Sequence, residues 1–111
     1  MSKHALFLHH RTKPGARDAV QQVWQKHMQP AIEANEGHEV YVYSFGIGPD
    51  TICAFQVYGS AEDANAFLKI PAYLAYELEV APLLDGPPHV EVLRPQWIKG
   101  KSFAQPGPVK L

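Results

Sequence analysis

A chain of 111 residues, 46% of them hydrophobic, is sized for one globular domain with a modest core. Ten Lys and Arg against eleven Asp and Glu leave a formal charge of -1 with no basic block, which excludes the electrostatic footprint of a nucleic-acid binder or of an anionic-membrane binder. No apolar run approaches the roughly 18 to 20 residues that cross a bilayer. The lone Cys53 cannot build an internal disulfide framework, and MSKHALFLHHR lacks a small-residue cleavage site, so the cytoplasm is the expected compartment.

The stretch from Ala5 to Arg11 is dense in apolar and aromatic residues and then meets Lys13-Pro14-Gly15, which predicts a strand ended by a turn. Alternation places Leu6, Leu8 and His10 on one face and Phe7, His9 and Arg11 on the other. The adjacent His9 and His10 therefore cannot clamp one metal together. Ala16, Val20, Val23, Trp24, His27, Ala31 and Ile32 recur at steps of three and four, the period of an amphipathic helix. Pro30 predicts a kink or break near Met28, and Gly37 is suited to a left-handed cap after Asn35-Glu36.

HEVYVYSFGIG is strand chemistry, with Val40, Val42 and Ser44 on one face and Tyr41, Tyr43 and Phe45 on the other. Gly48-Pro49-Asp50 turns the chain into a second strand, TICAFQVYG, and the two form an antiparallel hairpin. Ser60 caps the next helix, with Asp63 completing an imperfect capping box and Ala64, Phe67 and Leu68 as the apolar stripe. Pro71 interrupts it, AYLAYELEVAPLL restarts it, and Pro82 and DGPP end it. HVEVLRP is a fourth strand. Residues 1–95 thus form the domain. Residues 96–111 carry a few large apolar groups, Trp97, Ile98 and Phe103, too few for a core of their own, and make a tail expected to dock on a partner.

Strand, helix, strand, strand, helix, strand is the ferredoxin-like βαββαβ order of an α+β fold, a four-stranded antiparallel sheet with helices on one face. Tyr41, Tyr43, Phe45 and Phe7 are expected on the open face. An apolar patch of that kind marks an interface, so a sheet-to-sheet homodimer is expected.

The first strand running into KPGARDAV, the passage EANEGHEVYVYSF and the end AYLAYELEVAPLLDGPPHVEVLRP, in that order, resemble the antibiotic biosynthesis monooxygenase family of dimeric α+β barrels, from Ala5 to Pro95. The resemblance implies homodimers whose sheets form a barrel, and a cofactor-independent monooxygenase that oxidises a small aromatic, quinol-like or polyketide-like substrate with dioxygen. It also implies a pocket between sheet and helices, bordered by Leu6, Leu8, Trp24, Phe67 and Tyr73, with His10 as catalytic base. His9 takes that role if the other strand face meets the helices. Forming an electron-rich phenolate needs a base, and histidine titrates near neutrality. An apolar cavity keeps water from the reacting pair.

Each residue also has a plainer reading. His10 can be a strand-end histidine with one hydrogen bond, Trp24 a core residue of its helix, and the tyrosines packing groups with one polar handle. Phe67 stands where quinol-oxidising members carry a helical histidine. Phe67 and Glu77 stand where haem-degrading relatives carry a tryptophan and an iron-binding histidine, and glutamate is a poor substitute for that imidazole. The alternative function is a non-catalytic dimeric module that binds a small hydrophobic molecule. His4, His27, His38 and His89 have no ligand spacing, Cys53 reads as a buried hydrophobe, and the glycines match no phosphate fingerprint. Neither a metal nor an organic cofactor is expected.

Overall fold

The structure is a computed structural model that describes residues 2–100. Strand β1 spans His4–Arg11, helix α1 Arg17–Ala34, β2 His38–Phe45, β3 Thr51–Tyr58, α2 Ala61–Phe67, α3 Pro71–Val80 and β4 His89–Leu93, with a short 3-10 turn at Ala81–Leu83. All neighbouring strands are antiparallel in the order β2-β3-β1-β4. This is the ferredoxin-like α+β fold, with a helical layer on one face of the sheet.

Local chemistry accounts for the element ends. The turn into α1 passes through Gly15 at φ 78°, a backbone that glycine adopts without a Cβ penalty. Helix α1 runs unbroken past Pro30, against the expected break. Pro30 cannot donate to the Lys26 carbonyl, but both residues are exposed, so water can take that acceptor. Gly37 does not adopt a left-handed conformation either, since among the described residues positive φ occurs only at Gly15, Gly86 and Gly100. Asn35 ends the helix instead. Its side-chain Oδ1 accepts from the Gly37 amide at 3.3 Å and its carbonyl from the His38 amide at 3.2 Å, an Asx-type turn that does the same work. Ser60 caps α2 by accepting from the Asp63 amide at 3.1 Å. Pro71 then starts α3 at a first-turn position, where its missing N–H costs nothing.

The core lies between sheet and helices, where Val20, Val23 and Met28 of α1 meet Ile52 and Tyr58 of β3, Ala64 and Phe67 of α2, and Tyr76 and Val80 of α3. Burial of each such large side chain is worth roughly 1.5 to 3 kcal/mol.

The ladder corrects the assignment of faces. Tyr41 stands opposite Gln56, which stands opposite Leu6, and Phe45 is opposite Ile52, which is opposite His10. Residues opposite one another share a face, so Tyr41, Tyr43 and Phe45 look toward the helices with Leu6, Leu8 and His10. Only Phe7 of the expected aromatic set lies on the open face. Alternation separates the two sides of a strand but does not say which side meets the helices. The open face is still apolar, because Phe7, Val40, Val42, Phe55 and Leu93 share it by register, and Val42 is 49% exposed.

Phe45 is covered at its edge by Arg17, whose guanidinium lies 4.1 Å above the ring and donates to the Gly46 and Gly48 carbonyls. Trp97 is 72% exposed, and Phe103, the tail's other aromatic residue, lies outside the described residues. No helix among them is long and apolar enough to cross a membrane.

Candidate functional site

A cavity of about 690 Å³ opens between the sheet and the helices, within the size range of sites for small organic molecules. Leu6, Leu8 and Ala54 supply apolar sheet surface to it, and Trp24, Met28, Phe67 and Tyr76 supply the helix side. All six residues expected at a pocket, Leu6, Leu8, His10, Trp24, Phe67 and Tyr73, border this one cavity. His9 does not. It projects from the open face, opposite Cys53 on β3 and His89 on β4, so the condition under which it would replace His10 is not met.

His10 is half-buried, and its Nδ1 is enclosed with no protein partner among the described residues. Burial, with a smaller contribution from the neighbouring His9, lowers its pKa below the ordinary histidine value, because a charged imidazolium loses hydration there. The ring is therefore neutral at pH 7. No protein hydrogen bond to Nδ1 fixes which nitrogen carries the proton.

Trp24 and two tyrosines of β2 form one wall. The indole stacks on Tyr43 with ring centroids 4.1 Å apart and 21° between planes, and its Nε1–H donates to the Tyr41 hydroxyl at 3.3 Å. Tyr73 donates to Glu77 at 2.9 Å on the helix side. Burial foremost raises the pKa of Tyr41, Tyr43, Tyr58, Tyr73 and Tyr76 above the usual phenol value. All five stay protonated at neutral pH, so the wall carries hydroxyl dipoles and no phenolate charge.

The residue that sequence reasoning missed is His38. Strict alternation places it on the side of Val40 and Val42, but the β2–β3 register shifts between His38 and Val40. This bulge turns His38 to the helix face, opposite Tyr58. Its ring lies 4.2 Å from that of Tyr58 and meets Phe67 edge-on at 4.5 Å. Its Nε2 bonds Gln56 Oε1 at 3.0 Å and its Nδ1 bonds Asn35 Nδ2 at 2.8 Å. Carbonyl oxygens only accept and amide nitrogens only donate, so His38 is the neutral Nε2–H tautomer. Burial lowers its pKa, opposed in part by the Gln56 bond. The signal available in the sequence was Gly37-His38-Glu39 just ahead of a strand, too weak to announce a bulge.

Fold and cavity together define an α+β domain whose pocket is aromatic, largely apolar and bordered by the unpaired, neutral His10. No protein-family model and no curated protein sequence matches the chain. Solved structures do. Rv0793 from Mycobacterium tuberculosis is similar at 25% identity and TM-score 0.79, over 89% of this chain and 100% of that one. A candidate antibiotic biosynthesis monooxygenase from Chloroflexus aurantiacus is similar at 25% identity and TM-score 0.75, over 89% and 98%. Another candidate antibiotic biosynthesis monooxygenase, from Nitrosomonas europaea, shares the fold at 15% identity and TM-score 0.81, over 89% and 95%. By structure the chain groups with the antibiotic biosynthesis monooxygenase family.

Proposed function

We propose that the protein is a cofactor-independent monooxygenase that oxidises a small aromatic, quinol-like or polyketide-like substrate with dioxygen in the cavity between sheet and helices. The observation that carries this reading is the neutral, unpaired His10 at the edge of an aromatic cavity of about 690 Å³. The names borne by similar structures from Chloroflexus aurantiacus and Nitrosomonas europaea support it.

In this mechanism His10 accepts the proton of a phenol or of an activated ring methylene, and the resulting anion passes one electron to dioxygen. Superoxide and the substrate radical combine at carbon to a peroxide, which takes back a proton. Loss of water from that carbon leaves a carbonyl, so a CH2 group and O2 become C=O and H2O, or a phenol with a para C–H and O2 become a quinone and H2O, with all electrons supplied by the substrate. His10 returns to its neutral form. The apolar sheet surface and the Trp24–Tyr43 wall keep bulk water from the radical pair.

The homodimer belongs to the same proposal. The apolar open face of Phe7, Val42, Phe55 and Leu93 is the surface that a second copy would cover, closing the two sheets into a barrel.

The second reading, a non-catalytic binding module, is favoured by Phe67, an apolar ring where quinol-oxidising relatives carry a histidine. Oxygen consumption by the metal-stripped protein, measured against hydroquinones and polyphenols and corrected for autoxidation, separates the two. Saturable uptake that His10→Ala abolishes supports the monooxygenase. Binding of an aromatic probe with uptake at background supports the module.

A further inference from the structure

Gln56 is a buried polar side chain on the helix face of the central strand β3. It is 6% exposed and borders the cavity. Its Oε1 accepts two hydrogen bonds, from the Tyr58 hydroxyl at 2.7 Å and from His38 Nε2–H at 3.0 Å. His38 is itself held at Nδ1 by Asn35 at 2.8 Å and by the edge of Phe67 at 4.5 Å. The Gly37 amide fixes which end of Asn35 is oxygen, Asn35 Nδ2 then fixes His38 as the Nε2–H tautomer, and that donor settles which end of Gln56 is oxygen. The other end, Nε2, has no protein acceptor among the described residues, and it is not enclosed in the packing as His10 Nδ1 and Tyr43 Oη are. The accessible space that Gln56 borders is the cavity.

An amide held at its oxygen and open at its nitrogen presents a donor of fixed direction, and a ligand that displaces water from it must supply an acceptor to avoid the cost of an unmade hydrogen bond. We propose that Gln56 is the specificity-determining donor of the cavity, presenting Nε2–H to an acceptor oxygen on a planar aromatic ligand, with His38 and Asn35 as positioning residues that hold the amide in that orientation. The ligand class is an aromatic ketone, or a phenol that becomes one on oxidation.

The register places this oxygen relative to His10. Gln56 lies opposite Leu6, four residues along β1 from His10 on the same face, or about 13 Å along the strand at about 3.3 Å per residue. Both residues border the cavity. That span fits a flat molecule of two or three fused rings, one edge at His10 and an oxygen at the other end. This deepens the proposed function and rests on its assignment of the cavity as the substrate site.

The test uses two probes that are not turned over, 1-tetralone and its hydrocarbon counterpart tetralin, titrated into the full-length protein and followed by 15N NMR of side-chain amides. The variant Gln56→Glu keeps an acceptor for Tyr58 and His38 but removes the donor. The proposal expects the Gln56 side-chain amide signal, identified by its loss in that variant, to move with tetralone and not with tetralin. It also expects Gln56→Glu to lower the tetralone-to-tetralin affinity ratio about three- to tenfold, the range of one hydrogen bond, with tetralin affinity unchanged. Gln56→Met provides a second variant of similar size with the same expectation. His38→Ala should lower the ratio in the wild-type background and not lower it further in the Gln56→Glu background, which a merely structural histidine would not do.

An unchanged ratio in both Gln56 variants overturns the proposal. Failure of either probe to bind the wild-type protein overturns it together with the cavity as substrate site. Because the probes need no turnover, a lowered ratio alongside flat oxygen uptake retires the monooxygenase and leaves Gln56 standing. Oxygen uptake with an unchanged ratio retires Gln56 alone.

Discussion

Trp24 lies face to face with Tyr43, ring centroids 4.1 Å apart, so that a residue of α1 and a residue of the edge strand β2 close one wall of the cavity together. The same indole donates to Tyr41 at 3.3 Å, which ties two successive residues of that face of β2 to the helix. Truncation should therefore loosen the helix–sheet junction as well as open the cavity. Trp24→Ala is expected to lower unfolding free energy by about 3 kcal/mol, in the range for large aromatic truncations. Trp24→Phe keeps a stacking ring and loses the hydrogen bond, for about 1 kcal/mol. Urea unfolding followed by far-UV circular dichroism checks both, and equal losses in the two variants would count against the stack.

His10→Ala is expected to reduce oxygen consumption with a responsive phenol by roughly 10²- to 10⁴-fold, the usual contribution of a general base. The pH profile follows from the direction of its shift. A base must be unprotonated to work, and burial lowers the His10 pKa below 6.5. The acid limb of kcat/KM should fall with an apparent pKa below 6.5. A limb at or above that value would assign the base elsewhere.

His38 gives the folded state its own pH dependence. Its pKa is lowered from 6.5 by burial, so the unfolded chain binds this proton more readily than the native one. The stabilisation is fully present above pH 6.5 and is lost as pH falls from there through the lowered native value. The expected outcome is a decline in melting temperature across that window that is shallower in His38→Gln. Parallel curves for the two proteins would remove His38 as the cause.

The open sheet face should govern self-association. Val42 of the edge strand is 49% exposed, and the same row continues through Phe55 and Phe7 on the two central strands. Val42→Glu puts a charge where a second copy would bury the surface and is expected to give monomers in sedimentation velocity with circular dichroism unchanged. Phe55→Asp should do the same. A wild-type protein already monomeric at micromolar concentration would exclude the barrel dimer.

What the amino-acid sequence determined by itself was set by periodicity and by a few turn residues. Steps of three and four defined α1, alternation defined all four strands, and Ser60 and Pro71 marked where α2 and α3 start. These signals are local, and they were sufficient for the βαββαβ order and for grouping Leu6, Leu8 and His10 on one face. Pro30 and Gly37 misled because their local preferences were met by solvent and by Asn35. Tertiary structure decided the rest. Alternation is symmetric between the two faces of a strand, so only the ladder through Gln56 and Ile52 could send Tyr41, Tyr43 and Phe45 toward the helices. One extra residue in a strand reverses the parity of everything before it. For that reason the bulge between His38 and Val40 alone brought His38 to Gln56 and Tyr58.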